Sequence, residues 1–406
     1  MGISMTCLVT GGAGFIGSNY VRYLLNNDEK VVILDSLTYA GNLDNLTGFV
    51  TDNNIISTFQ QSRLSIVRID ENQNVNYVHD FSSEKERFLR KVSDLETNVV
   101  PVAELVKYVS SVISEDGLAF VYGNIVDRDV VYSLMHVCDT VVNFAAETHV
   151  DRSILSPDEF IKTDFYGTYV LLEAAKQNNN LIKFVQISTD EVYGSTLDKS
   201  FIESDPINPR NPYSASKAAA DRLVFAYNQT YNLPVNIIRL SNNYGPYQYP
   251  EKLIPLMIVK ALRNEQLPVY GDGRQIRDWL YVEDAVKGIE LVVKNGKSGE
   301  TYNLAGRNEK ENIEVVKRIL HRLDKPESLI QYVSDRPGHD RRYSIDDSKI
   351  REQIGFTQPN SFEHDLDKTI DWYVSNQEWW QKIIEYDKEY KEFMNKWYEK
   401  RGLKEI

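Results

Sequence analysis

Cysteine is nearly absent: Cys7 and Cys138 are the only two in 406 residues. Both fall inside apolar runs, "TCLVT" and "VCDTVVNF", where a thiol acts as a small core residue. Two isolated thiols exclude a disulfide framework and leave no ligand set for zinc. No metal is expected. Long hydrophobic runs are missing too. No stretch approaches the roughly 20 apolar residues that span a bilayer, and the N-terminus lacks a basic-then-apolar leader. The opening "MGISMT" fits a loose acylation pattern, but a buried strand is expected to begin at once at Thr6. A cytoplasmic location is expected. Positive charge is in deficit, with 46 Lys and Arg against 59 Asp and Glu and a net charge of −13. That argues against a nucleic-acid surface, which needs clustered Lys and Arg. It leaves room for a small anionic ligand, which needs only a few cations and backbone N–H groups.

What is present is alternation. "MTCLVT", "GGAGFIGSNYVRYLLNN" and "KVVILD" read as strand, Gly-rich turn with helix, and strand. Later runs, "TVVNFAA", "LIKFVQIS" and "VNIIRL", are strand-like, separated by the helical segments "FYGTYVLLEAAKQN" and "SASKAAADRLVFAYNQTY". The pattern predicts an α/β fold: a Rossmann-type doubly wound parallel sheet covered on both faces, with a smaller α/β domain for substrate. The expected division is 1–240, dinucleotide-binding, and 241–406, where Gly, Pro, Tyr and charge become frequent. The tail from "TIDWYVSNQEWW" onward predicts an amphipathic helix closing on the body. An insertion at about 50–117 is longer than a βαβ connection requires. It contains a polar stretch and a probable helix, "VPVAELVKYVSSVI".

"TGGAGFIG" places Gly11, Gly14 and Gly17 between the first strand and the first helix. A pyrophosphate must approach the backbone closely and rest at a helix N-terminus, which is why glycines are required there. Asp35 ends the second strand about twenty residues on, where a carboxylate accepts the adenosine ribose hydroxyls and favours NAD over NADP. "YSASK" puts Tyr213 and Lys217 on one helix face. A lysine there is expected to lower the phenol's pKa toward the range in which it takes a proton from a sugar hydroxyl. With 25 tyrosines, on the order of one such spacing arises by chance, so context decides its meaning.

The stretch "QISTDEVYGS" supplies that context. Ser188 and Thr189 end an apolar run, and Asp190 and Glu191 follow directly. At the carboxyl end of a strand in an open parallel sheet, side chains border the ligand crevice. Thr189 is suited to the hydroxyl being oxidised. Two carboxylates in different environments can be held as acid and base; the alternative is a pair of solvated turn residues. Asn242, Asn243 and Lys252 in "NNYGPYQYPEKLIP", Arg277 in "RQIRDWLYVEDA", and Arg336 with His339 in "DRPGHDRRY" offer groups for a diphosphate and a base. His149 is read equally as a substrate-side residue and as a structural hydrogen-bonder.

These motifs resemble the extended short-chain dehydrogenase/reductase family, and within it the dTDP-glucose 4,6-dehydratases. The likeness covers nearly the whole chain outside the insertion, and the Asp190–Glu191 pair sets it apart from sugar epimerases of the same superfamily. It implies that Tyr213, helped by Lys217 and Thr189, deprotonates the 4-hydroxyl as hydride passes to NAD. Glu191 then removes the carbon-5 proton, Asp190 protonates the departing 6-hydroxyl, and the hydride returns to carbon 6. The product is a 4-keto-6-deoxy sugar for deoxysugar biosynthesis. The resemblance adds Phe15, Ile16, Thr38, Asn124, Ile125, Ala145 and Ala146, with Tyr213 and Lys217, to the cofactor site. To the nucleotide-sugar site it assigns Asn242, Lys252, Leu253, Pro268, Tyr270, Arg277, Asn312, Arg336 and His339. It also implies a homodimer, through the Tyr213 helix and residues near 160 to 176. Asn124 stands where the family usually has Asp, so the adenine contact is altered. The insertion has no assigned role: a cover over the adenosine end and an extra surface subdomain are both open. The competing functions are UDP-glucose dehydration, 4-epimerisation and a silent NAD-binding protein.

Overall fold

The computed structural model describes residues 5–51, 54–57, 65–69, 75–80 and 98–402. Most of the insertion's polar stretch therefore lies outside the described residues, as does the N-terminal acylation pattern. Packing divides the chain into two compact units. The first comprises residues 1–146 and 166–184, the second 147–165 and 185–406.

In the first unit the strands are β1 (Thr6–Thr10), β2 (Lys30–Asp35), β3 (Ile55–Ser57), β4 (Ser65–Ile69), β5 (Val75–Asp80), β6 (Asn98–Val99), β7 (Leu118–Tyr122) and β8 (Thr140–Asn143). Six of them form a parallel run in the order β8-β1-β2-β7-β3-β6. β1, β2, β7 and β8 are buried almost throughout, as strands covered on both faces must be, which explains their unbroken apolar sequences. The chain builds outward from β1 through β2 and then returns to β8 on the other side of β1. That reversal is the topological switch point, where α/β sheets bind ligands. The insertion contributes β3 and β6 to the sheet. Its predicted helix forms as Val102–Asp116 and ends on Gly117 in the left-handed conformation. β4 and β5 form an antiparallel pair.

In the second unit, β9 (Lys183–Thr189, from Val185 onward) carries the acid pair at its carboxyl end. β10 (Val235–Leu240), β11 (Asn242–Tyr244), β12 (Leu267–Tyr270), β13 (Ile276–Tyr281), β14 (Thr301–Leu304), β15 (Glu309–Glu311) and β16 (Ile330–Val333) follow. β10 pairs with β14, β11-β13-β15 form a small sheet, and β12 pairs with β16. The long helix Pro212–Tyr231 starts where sequence predicts: Asn211 and Ser214 form a capping box and Pro212 occupies the first turn. The tail forms helices Phe362–Ser375, Gln377–Tyr386 and Lys388–Glu399. They bury Trp379, Trp380, Ile383, Tyr390, Phe393, Met394, Trp397 and Tyr398, as an amphipathic tail closing on the body requires. Among the described residues no helix is long and apolar enough to cross a membrane.

Candidate active site

In the first unit, the turn between β1 and the helix Phe15–Leu25 is built for close approach. Gly11 has φ +67°, and a Cβ there would lie 2.8 Å from the Ala145 amide nitrogen. A Cβ on Gly17 would lie 2.2 Å from the Gly11 carbonyl oxygen, so no larger residue fits. The helix starts at Gly14, which offers no capping side chain, and its first turn carries no acidic residue. The amides of Phe15, Ile16 and Gly17 thus present the positive helix end to an anion. Asp35 is buried and organises the turn around it, accepting from the Ala13 amide at 2.8 Å and the Leu37 amide at 2.7 Å. A buried carboxylate at this position suits a sugar hydroxyl and disfavours a phosphate. Thr38 closes the following turn by accepting from the Gly41 amide. Ala145 donates its amide to Thr10, with Ala146 next in sequence. The Asn124 side chain accepts from the Val126 amide at 3.1 Å, and Ile125 is buried. This donor set fits a dinucleotide.

The second unit gathers the remaining candidates. Thr189 caps the short helical turn Asp190–Tyr193 by accepting from the Glu191 amide at 3.2 Å, and its hydroxyl donates to Asp190 Oδ1. Gly194, at φ +83°, ends the turn. Val192 and Tyr193 pack with Ala218, clamping the acids onto the helix of Tyr213 and Lys217. Lys217 Nζ tightens that clamp by donating to the Ile187 carbonyl at 2.7 Å. The acids' environments differ. Asp190 is only 2% exposed while Glu191 is partly open. Burial, then the neighbouring Glu191 and Asp278 carboxylates, hold Asp190 well above the usual carboxylate range. Its Oδ2 is buried with no hydrogen-bond partner among the described residues. Burial thus favours the protonated form of Asp190, the form that can give a proton.

Such a group opposes stability as pH rises, because the unfolded chain releases the proton in the ordinary range and the folded chain does not. At neutral pH, Asp190→Asn should unfold at a higher temperature than wild type. The gain should vanish below the ordinary carboxylate range, and turnover should fall at every pH. A thermal scan against pH, with equal stability of the two proteins at pH 7, would contradict the buried-acid description.

Contrary to the sequence expectation of a lowered pKa, the Tyr213 phenol is pushed well above its ordinary value. Burial is the largest cause, followed by the negative charges of Glu191 and Asp164, with the Thr189 hydrogen bond acting the other way. The lysine faces the Ile187 carbonyl and is itself pushed down by burial, with Asp164 and Asp221 compensating.

Asp164 was not singled out from sequence. It sits in a wide helical turn, Ile161–Gly167, fully buried, accepting from the Glu147 amide at 2.8 Å and the Ser216 hydroxyl at 2.6 Å. Burial raises its pKa to about 6. Nothing in the sequence marks an acid inside a helical segment as part of a site. Tyr343 and Asp340 were also missed, although both lie within "DRPGHDRRY". The Tyr343 hydroxyl lies 2.7 Å from Asp340 Oδ2 and 3.3 Å from Glu191 Oε2.

The predicted cations converge electrostatically on the acids. Arg277 lies over the Tyr343 ring at 4.2 Å and donates to the Asp340 carbonyl. Arg336 donates to Asp151 at 3.0 Å, and Tyr270 donates to the other oxygen of that carboxylate. Lys252 reaches the Thr148 carbonyl at 2.8 Å, and both Lys252 and Arg336 feel the Glu191 charge. His339 is bonded to Asp335, and burial with Arg336 and Arg277 pushes its pKa down to about 3, so it is neutral. His149 is held neutral by burial and by Lys252, Arg152 and Arg336, and its Nδ1 is buried without a partner among the described residues. Asn242 and Asn312 likewise bury unpartnered carbonyl oxygens. Leu253 opens the helix Leu253–Leu262, and Pro268 is buried in β12.

Comparison with known proteins accords with this geometry. The GDP-mannose 4,6 dehydratase family model matches residues 8–78 and 76–369. A dTDP-glucose 4,6-dehydratase of Escherichia coli is 41% identical, covering 94% of this chain and 97% of that protein. The crystal structure of DesIV, a dTDP-glucose 4,6-dehydratase from Streptomyces venezuelae with NAD and TYD bound, superposes with a TM-score of 0.75 at 37% identity, covering 93% of this chain and 100% of that one. That of the dTDP-glucose 4,6-dehydratase from Bacillus anthracis in complex with NAD gives 0.72 at 39%, covering 93% and 99%. The chain belongs to the GDP-mannose 4,6 dehydratase family, and within it groups with the dTDP-glucose 4,6-dehydratases.

Proposed function

We propose that the protein dehydrates dTDP-glucose to dTDP-4-keto-6-deoxyglucose, with NAD as its resident cofactor, in deoxysugar biosynthesis. The observation that carries the reading is the pair of adjacent acids in unlike environments: Asp190 buried, its proton held more tightly than usual, and Glu191 beside it and more open. Hydride transfer alone has no use for such a pair, whereas elimination of water needs one group to take a proton and another to give one.

Gly11, Gly14, Phe15, Ile16 and Gly17 would hold the cofactor pyrophosphate, Asp35 and Thr38 the adenosine ribose, and Asn124, Ile125, Ala145 and Ala146 the flanking groups. NAD bound there would supply the hydride acceptor and donor. Tyr213 takes the proton of the 4-hydroxyl, which Thr189 holds in place, and Lys217 sets the charge beneath the phenol. Once carbon 4 is a ketone the carbon-5 proton is acidic, and Glu191 removes it. Asp190 gives its proton to the 6-hydroxyl as water leaves. Lys252, Arg277, Arg336 and His339, with Asn242, Leu253, Pro268, Tyr270 and Asn312, bind the nucleotide diphosphate. In this division of labour the cofactor belongs to residues 1–240 and the nucleotide sugar to 241–406. The protein acts in the cytoplasm, with its two thiols reduced. It works as a homodimer, a reading supported by the exposed Leu155, Ile161 and Phe165 on one segment and Phe225 and Tyr231 on the Tyr213 helix.

The test is incubation with dTDP-glucose and, separately, UDP-glucose, without added reductant, reading product mass and alkaline keto-sugar absorbance. Loss of one water with no net reduced cofactor is expected, with dTDP-glucose preferred. A galacto product from either sugar, or recovery of both unchanged from folded protein with NAD bound, would sink the reading.

A further inference from the structure

The helix Lys388–Glu399 does more than cover the core. Its Trp397 indole donates to the Tyr270 hydroxyl oxygen at 2.6 Å, and the Tyr398 hydroxyl lies 3.3 Å from the same atom. The Tyr270 and Tyr398 rings stack at 6.0 Å with 15° between their planes. Beyond them, Tyr270 reaches Asp151 Oδ2 at 2.9 Å, and Asp151 Oδ1 receives Arg336 at 3.0 Å. Direction along this chain is forced by donor inventory. An indole N–H only donates, so the Tyr270 oxygen must accept from it, and its single proton goes to a neighbour that accepts. The Asp151 carboxylate at 2.9 Å is the closer one. With Oδ2 engaged by Tyr270, Oδ1 is left facing Arg336. Arg336 is held through one terminal nitrogen, while its Nε is buried with no hydrogen-bond partner among the described residues. A buried donor left open on a guanidinium is costly unless a ligand anion completes it.

We propose that Trp397 is a positioning residue for nucleotide-sugar binding: acting through Tyr270 and Asp151, its indole N–H fixes the orientation in which Arg336 meets the substrate diphosphate. This deepens the functional reading above and rests on it.

Trp397→Phe keeps an aromatic ring against Phe393 and Arg401 and removes the N–H. In the full-length, NAD-loaded protein, KM for dTDP-glucose and Kd for dTDP should rise about tenfold, with kcat within about twofold of wild type. NAD content and melting temperature should stay unchanged, a split that loss of packing would not produce. In a double-mutant cycle with Arg336→Ala, the Trp397→Phe effect on Kd should disappear, because the relay then has nothing to orient. Unchanged KM and Kd in Trp397→Phe, or effects that add in the cycle, would overturn the proposal. Should Trp397→Phe lower stability, Asp151→Asn keeps the side chain's size, weakens its hold on Arg336 and is read the same way: loss of its effect in the Arg336→Ala background supports the relay, and additivity overturns it. Wild-type protein that neither binds dTDP nor dehydrates dTDP-glucose would take down the functional reading and this inference together. Wild-type protein that does both, with Trp397→Phe indistinguishable from it, removes this inference alone.

Discussion

Replacing Glu191 with Gln should lower kcat on the order of 10³-fold, within the range that a positioned acid or base contributes. The amide has the carboxylate's size and can still accept from Tyr343, which lies 3.3 Å from Glu191 Oε2. The backbone amide of residue 191 keeps its bond to Thr189. What is lost is the capacity to take a proton from carbon 5. Substrate affinity should change little and the first oxidation should survive, so reduced-nicotinamide absorbance should appear and persist. Incubation in deuterated water sharpens the result: wild type should place deuterium at carbon 5 of the product, and the variant almost none. Turnover like wild type would remove Glu191 from the elimination and return it to the class of turn residues.

Tyr213→Phe has the second large effect, a loss of on the order of 10² to 10⁴ in kcat. Its block comes earlier than that of Glu191→Gln, so reduced-nicotinamide absorbance should not develop. The ring packs edge-on against Phe160 at 6.2 Å, a contact phenylalanine preserves, so folding should be unaffected. The raised pKa of this phenol sets the pH dependence. A base that is scarce at neutral pH gives a first oxidation step that speeds up as pH rises, and this alkaline limb should vanish in Tyr213→Phe. Removing a negative neighbour makes the phenolate easier to form, so Glu191→Gln should move the same limb to lower pH. Pre-steady-state absorbance across pH measures both shifts. Transient cofactor reduction by Tyr213→Phe would show that another group takes the hydroxyl proton.

Much of this was legible in the chain. The apolar runs at Thr6–Thr10, Lys30–Asp35 and Thr140–Asn143 fall on parallel strands, because only a sheet covered on both faces buries every side chain of a strand. The Gly-rich turn was legible for a steric reason: a Cβ at Gly17 collides with the Gly11 carbonyl. The aromatic spacing of the tail announced an inward face, though not what that face would touch.

Sequence by itself therefore determined the element order, the dinucleotide turn, and the identity of the acids, the tyrosine and the lysine, since each is a local pattern enforced by backbone geometry or by spacing on one element. Only tertiary structure decided their ionisation and their company. It showed Asp190 to be the buried acid of the pair and Asp164 to stand behind Ser216, and it turned Lys217 toward the Ile187 carbonyl. It also brought Trp397 to Tyr270, 127 positions away. Desolvation and long-range charge set these properties, and both depend on which distant segments exclude water from a group, which no local pattern encodes.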